Sequence, residues 1–136
     1  MTLEPHTEDA RLAVVERTAP NMVLVRYREG IRFDPAGIAE VIDICERVAL
    51  QEHFGLVTVL PRDGEMSIEA MQQDHGGPDF ARRVRAHAIV AGGELFKRLS
   101  EIHYTYHPQP HDVRLFDTVE AAEEWVRARL DDRSVA

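Results

Sequence analysis

The chain has 136 residues, 44% of them hydrophobic and 29% charged, and its 24 acidic against 16 basic residues leave a net charge of −8. One domain fits this length, since domains commonly run to about 100–150 residues, and the composition excludes a fibrous or disordered chain. No apolar run reaches the about 18 residues of a membrane span, and the net acidity argues against nucleic-acid binding, which needs a cationic footprint.

Residues 1–10 are polar, with no signal-peptide core, and are expected to be a flexible tail, so the cytoplasm is the expected compartment. Leu12, Val14 and Glu16 alternate with Ala13, Val15 and Arg17, a short strand; residues 18–21 turn, since Pro20 and Asn21 suit tight turns. Residues 22–28 (MVLVRYR) read as a second strand, antiparallel to the first. Asp34-Pro35 starts a helix, with Asp as N-cap and Pro in its first turn. Ile38, Val41, Ile42, Cys45, Val48 and Ala49 then recur at helical spacing, so that face is buried. The lone Cys45 falls mid-helix among apolar residues and reads as a small buried side chain rather than a nucleophile.

Residues 54–60 (FGLVTVL) are nearly continuous apolar sequence, the pattern of a covered central strand. Ser67 is a good N-cap for a helix over 68–75, which Gly76-Gly77-Pro78 ends, and a short helical piece follows near 79–83. Residues 84–90 (VRAHAIV) are a fourth strand. Gly92-Gly93 is a turn before a helix that carries Leu95, Phe96, Leu99 and Ile102 on one face; it lacks the G-x-G-x-x-G or G-K-[ST] of a phosphate loop. After a Pro-containing loop at 107–111, residues 113–116 form the last strand. Asp117 or Thr118 then caps a final helix with Ala121, Ala122, Trp125, Val126 and Leu130 as its buried stripe. Residues 132–136 are a second tail. The order ββαβαβαβα implies a mostly parallel five-stranded sheet with an antiparallel edge strand and packed helices.

The ββα opening, the strand-Ser-helix in the middle and the ending RLFDTVEAAEEWV, after the Pro108-x-Pro110 loop, resemble SpoIIAA-like, STAS-type domains. The likeness covers residues 11–131 and is nearest to the poorly characterised bacterial STAS/SEC14-like branch. It implies sequential β-α units and a regulatory, protein-interaction role without chemistry of its own. In the anti-sigma-factor antagonists of that superfamily a partner kinase phosphorylates a Ser at the start of a helix. The matching segment here is 61–67 (PRDGEMS), whose one hydroxyl is Ser67; the family's Asp-Ser-Ser-Gly is absent, and Asp63, Glu65 and Glu69 crowd the position. Ser67 is therefore a phospho-switch candidate beside its plain capping role.

Strand parity suggests a basic sheet face in an acidic protein. Arg26 and Arg28 share a parity, Arg85 and His87 share another, and Arg114 and Thr58 can join them. A solvated face with ion pairs, a homodimer interface and an anion-binding surface are the three readings. Arg82-Arg83-x-Arg85 is too short a basic cluster for a nucleic-acid site. His103, His107 and His111 recur at four-residue spacing, but Pro108 and Pro110 prevent a helix from aligning all three, so no metal or other cofactor is expected. A Gly-x-Ser-x-Gly elbow and an H-E-x-x-H pattern are both missing, so no enzyme is expected.

The first expectation is a non-catalytic cytoplasmic regulatory domain that docks an unknown protein partner and forms a homodimer. The alternative, suggested by the SEC14-like side of the resemblance, is a carrier or sensor of a small apolar or amphipathic ligand. Its cavity would be lined by Met66, Ile68, Met71, Phe80, Leu95 and Phe96 and would exceed about 300 Å³. A histidine- or metal-dependent enzyme comes last.

Overall fold

Val-, Leu- and Ala-rich runs at 22–25, 54–57 and 86–90 have no polar alternation that would leave one side to water, so each needs cover on both faces. In the computed structural model, which describes residues 6–72 and 77–131, the chain runs β1 (His6–Asp9), β2 (Ala13–Ala19), β3 (Met22–Tyr27), β4 (Ile31–Phe33), α1 (Pro35–Val48), β5 (Phe54–Val59), β6 (Gly64–Met66), α2 (Ile68–Gln72), α3 (Gly77–Arg83), β7 (Val84–Val90), α4 (Glu94–Tyr106), β8 (Asp112–Phe116) and α5 (Val119–Asp131). The main sheet has six strands in the order β1-β2-β3-β5-β7-β8. β1, β2 and β3 are antiparallel, and β3, β5, β7 and β8 are parallel. No described helix is long and apolar enough to cross a membrane.

The architecture departs from the five-strand expectation at two places. Residues 6–9, expected as tail, extend the sheet as β1, antiparallel to β2, and Glu8 pairs with Arg47 and Asp9 with Arg28 across the edge. The rest of the two expected tails, residues 1–5 and 132–136, and the end of the expected helix at 73–75 lie outside the described residues. β4 and β6 form a separate parallel pair. The turn after β3 is tied to the loop after β5: the Glu29 carboxylate accepts from the backbone N–H of Arg62 and Asp63, and Gly30, in the left-handed region at φ 71°, donates to the Asp63 carbonyl.

Helix α1 begins as expected. The Asp34 side chain accepts from the Gly37 N–H at 2.7 Å, and the Arg11 guanidinium beside it holds the carboxyl below its ordinary range. Its Ile38, Val41, Ile44, Cys45 and Val48 are buried against β2 and β3. At the other end of the chain Thr118, rather than Asp117, caps α5 through its Oγ1 and the Ala121 N–H. Ala122, Val126 and Leu130 of α5 pack on Met22, Leu24, Val57, Ala88 and Val90, so the sheet lies between two helical layers.

The approach of α5 is close enough to dictate a glycine. A Cβ on Gly55 of β5 would collide with Cγ1 of Val126. Gly55→Ala is therefore expected to destabilise the fold by about 1–3 kcal/mol, the usual cost of overpacking. Thermal denaturation followed by circular dichroism checks this, with a lowered midpoint as the expected outcome.

Candidate functional site

Three inner strands and two helices leave a space unfilled. Val25, Leu56 and Ile89 floor it, α1 walls it with Ile38, Val41, Ile42 and Cys45, and α4 closes it with Leu99, Ser100, His103 and Tyr104. The chamber holds about 150 Å³. A second hollow of about 270 Å³ adjoins it, sharing Met66, Leu99 and His103, and adds Met71, Ile102, Tyr106 and His107. The inner chamber thus falls short of the volume expected of a carrier.

A polar cluster stands at one end of this apolar space. Thr58 Oγ1 and His87 Nε2 share a hydrogen bond of 2.8 Å between neighbouring strands. Tyr104 and His111 approach His87 with ring centroids at 6.0 Å and 6.4 Å. His87 is 8% exposed, and burial pulls its pKa down to about 3, helped by His111 and His103 nearby. The imidazole is therefore neutral. His111 is also lowered, chiefly by burial. Its Nδ1 lies 3.0 Å from the Ala81 carbonyl oxygen; a carbonyl only accepts, so Nδ1 carries the proton and Nε2 is an acceptor. Burial pushes the Cys45 thiol up to about 12, so it lines the chamber as an apolar wall rather than a nucleophile.

His87 reaches this place through a β-bulge. Phe54 pairs with Val84 and Gly55 with Ala86, which leaves Arg85 as the extra residue. Val84 and His87 consequently face the same chamber although three positions apart. The expected basic face is thereby dissolved. Arg26 and Arg114 belong to the α5 side, Arg114 resting over Phe116; Arg28 lies beyond β3 and pairs with Asp9; Arg85 is exposed on the bulge; and His87 sits uncharged on the opposite side. Of the basic cluster, Arg83 turns inward and donates to the Glu46, Gln51 and Glu52 carbonyls beyond and within the end of α1, while Arg82 pairs with Asp79.

The other candidate residues separate. Ser67 is 5% exposed, and its Oγ accepts from the Ala70 N–H at 3.0 Å. It acts as a buried N-cap, out of reach of a kinase in this arrangement. Met66 and Phe80 line the chamber and Met71 the second hollow; Phe96 is core, packed on Phe33; Ile68 and Leu95 are exposed and line neither space. His103 stacks on His107 at 4.7 Å, whereas His111 turns toward His87. Among the described residues, no group of three His, Cys, Asp or Glu side chains is placed to hold a metal ion. Tyr104, Ser100 and Gln109 were not singled out from sequence, and their one visible signal was polarity at the chamber end of a mixed helix and loop.

The buried neutral imidazole fixes the sign of a pH effect. A histidine whose folded pKa lies below its ordinary value of about 6.5 contributes full stability above that value and loses it as pH falls toward the folded pKa. Between pH 7 and pH 5 His87 is expected to cost about 2 kcal/mol, with His111 acting in the same direction. Denaturant melts at the two pH values check this, and His87→Gln is expected to show a smaller loss than the parent chain.

No family model matches the chain, and no curated protein matches it. Among solved structures it is similar to an uncharacterized protein from the DUF3478 family with a SpoIIAA-like fold, from Shewanella loihica PV-4, at a TM-score of 0.59 and 12% identity, over 93% of this chain and 98% of that one. That likeness is one of fold: the chain has the SpoIIAA-like fold that its β-α pattern and its ending had suggested.

Proposed function

We propose that this protein is a non-catalytic binding domain of SpoIIAA-like fold that senses a small, mostly apolar molecule in the chamber under α4. The observation that carries this reading is the chamber itself, about 150 Å³ of apolar-walled space with hydrogen-bonding groups gathered at one end. A cavity of about 150 Å³ has room for a molecule the size of benzene. The volume favours such a ligand over a long acyl chain, so the smaller version of the sensor reading is preferred to a lipid carrier.

The absence of catalysis is part of the proposal. Thr58 and His87 form a hydroxyl–imidazole pair, the outline of a nucleophile and its base. A useful base has a pKa near the operating pH, and His87 is held far below it. The pair is thus better suited to orienting a ligand than to moving a proton. Titration with toluene, followed by nuclear magnetic resonance, tests the chamber. Shifts confined to chamber residues are expected, and Leu99→Trp, which fills the space from α4, is expected to abolish them. Binding that survives Leu99→Trp, or no binding by the parent chain, defeats the reading.

A second reading, a protein-interaction domain that dimerises, is favoured by the apolar side chains that α2 and α4 leave uncovered. Ile68, Leu95, Ile102 and Tyr106 are 69%, 57%, 48% and 77% exposed, and exposed apolar patches mark contact surfaces. The occupant proposed is a second copy of this chain. Light scattering is expected to give twice the chain mass, and Ile102→Glu with Tyr106→Glu is expected to halve it; a monomeric parent chain refutes this.

A further inference from the structure

We infer that the ligand of the chamber is an uncharged small molecule carrying a hydroxyl on an apolar body, of the phenol or alicyclic alcohol class. This rests on the chamber being a binding site and goes further by naming the chemistry of the occupant. Among the described residues, no lysine, arginine, aspartate or glutamate lines the space. An ion entering it would lose its hydration and meet no fixed counter-charge, a cost that hydrogen bonds to neutral groups do not offset.

The imidazoles of His87 and His111 do not supply that counter-charge at pH 7.5, which lies above the ordinary histidine pKa of about 6.5. His87 is buried and engaged with Thr58, and burial lowers both His87 and His111 further. These two rings therefore offer dipoles rather than a charge. Their polarity favours a donor: with His111 Nδ1 given to the Ala81 carbonyl, Nε2 is left as an acceptor. A hydroxyl can donate to it and accept in return, whereas a ketone or an ether cannot donate. Tyr27, Phe33 and Phe80 among the lining residues suit a flat apolar body.

The test compares three probes of similar shape on the full chain at pH 7.5, with dissociation constants measured by nuclear magnetic resonance: 4-methylphenol, toluene and 4-methylbenzoate. The expected result is 4-methylphenol binding at least tenfold tighter than 4-methylbenzoate, about 1.4 kcal/mol, and tighter than toluene. His111→Phe, which keeps the ring but removes the acceptor, is expected to bring 4-methylphenol down to the affinity of toluene. Benzoate equal to or tighter than the phenol overturns the inference while leaving the chamber reading intact, and so does toluene equal to the phenol. No binding by any probe overturns both together. The three-probe comparison uses the unaltered chain, so it decides the matter even if His111→Phe fails to fold.

Discussion

Covering a parallel sheet on both faces is the constraint from which the rest of this structure follows. Once α1 and α4 lie over one side and α5 over the other, any polar group on an inner strand must find its partner within the protein. Thr58 and His87 do so with each other, across the β5–β7 pair. The imidazole then stays neutral, because burial penalises its charged form and the His111 and His103 rings stand nearby. A hydrogen-bonding end in an otherwise apolar chamber is the direct result.

The two layers are packed to different degrees. On the α5 side Ala122, Val126 and Leu130 meet the sheet so closely that Gly55 has no room for a side chain. On the other side the aromatic chain of Tyr27, Phe33 and Phe96 and the Phe54–Phe80 pair prop the helices at a distance. Between α1 and α4 the strands present mid-sized side chains, Val25, Leu56, Thr58 and Ile89, and the space above them is left unfilled. A cavity in a folded protein carries a stability cost, and the aromatic pairs Tyr27–Phe33, Phe33–Phe96 and Phe54–Phe80 contribute in the opposite direction. The loop that follows β5 adds rigidity of its own, since the Glu29 carboxylate gathers two of its backbone N–H groups.

Much of the architecture was legible because local chemistry and global arrangement agree. The Asp34-Pro35 start, the i, i+3, i+4 stripe of α1 and the unbroken apolar run of β5 each follow from rules that operate within one element. The edge strand β1 was not legible: HTED has no strand pattern, and its ladder with β2 is accompanied by ion pairs to Arg47 and Arg28, which are remote in sequence. The candidate site was legible in pieces. Met66 and Phe80 were placed toward a cavity, and Thr58 was grouped with His87, but on a face imagined as basic and open. A one-residue bulge at Arg85 defeats parity, because alternation holds only while the ladder is regular.

What the sequence determined by itself is therefore the longer elements from β2 to α5, their order, and the helix faces and central strand that need cover, since periodicity and capping are written in neighbouring residues. What only the tertiary structure decided is which face His87 takes, whether Ser67 is buried, and where space is left between the layers. Those depend on register, on the bulge, and on the distance at which aromatic side chains from separate elements come to rest, and no single segment contains that information.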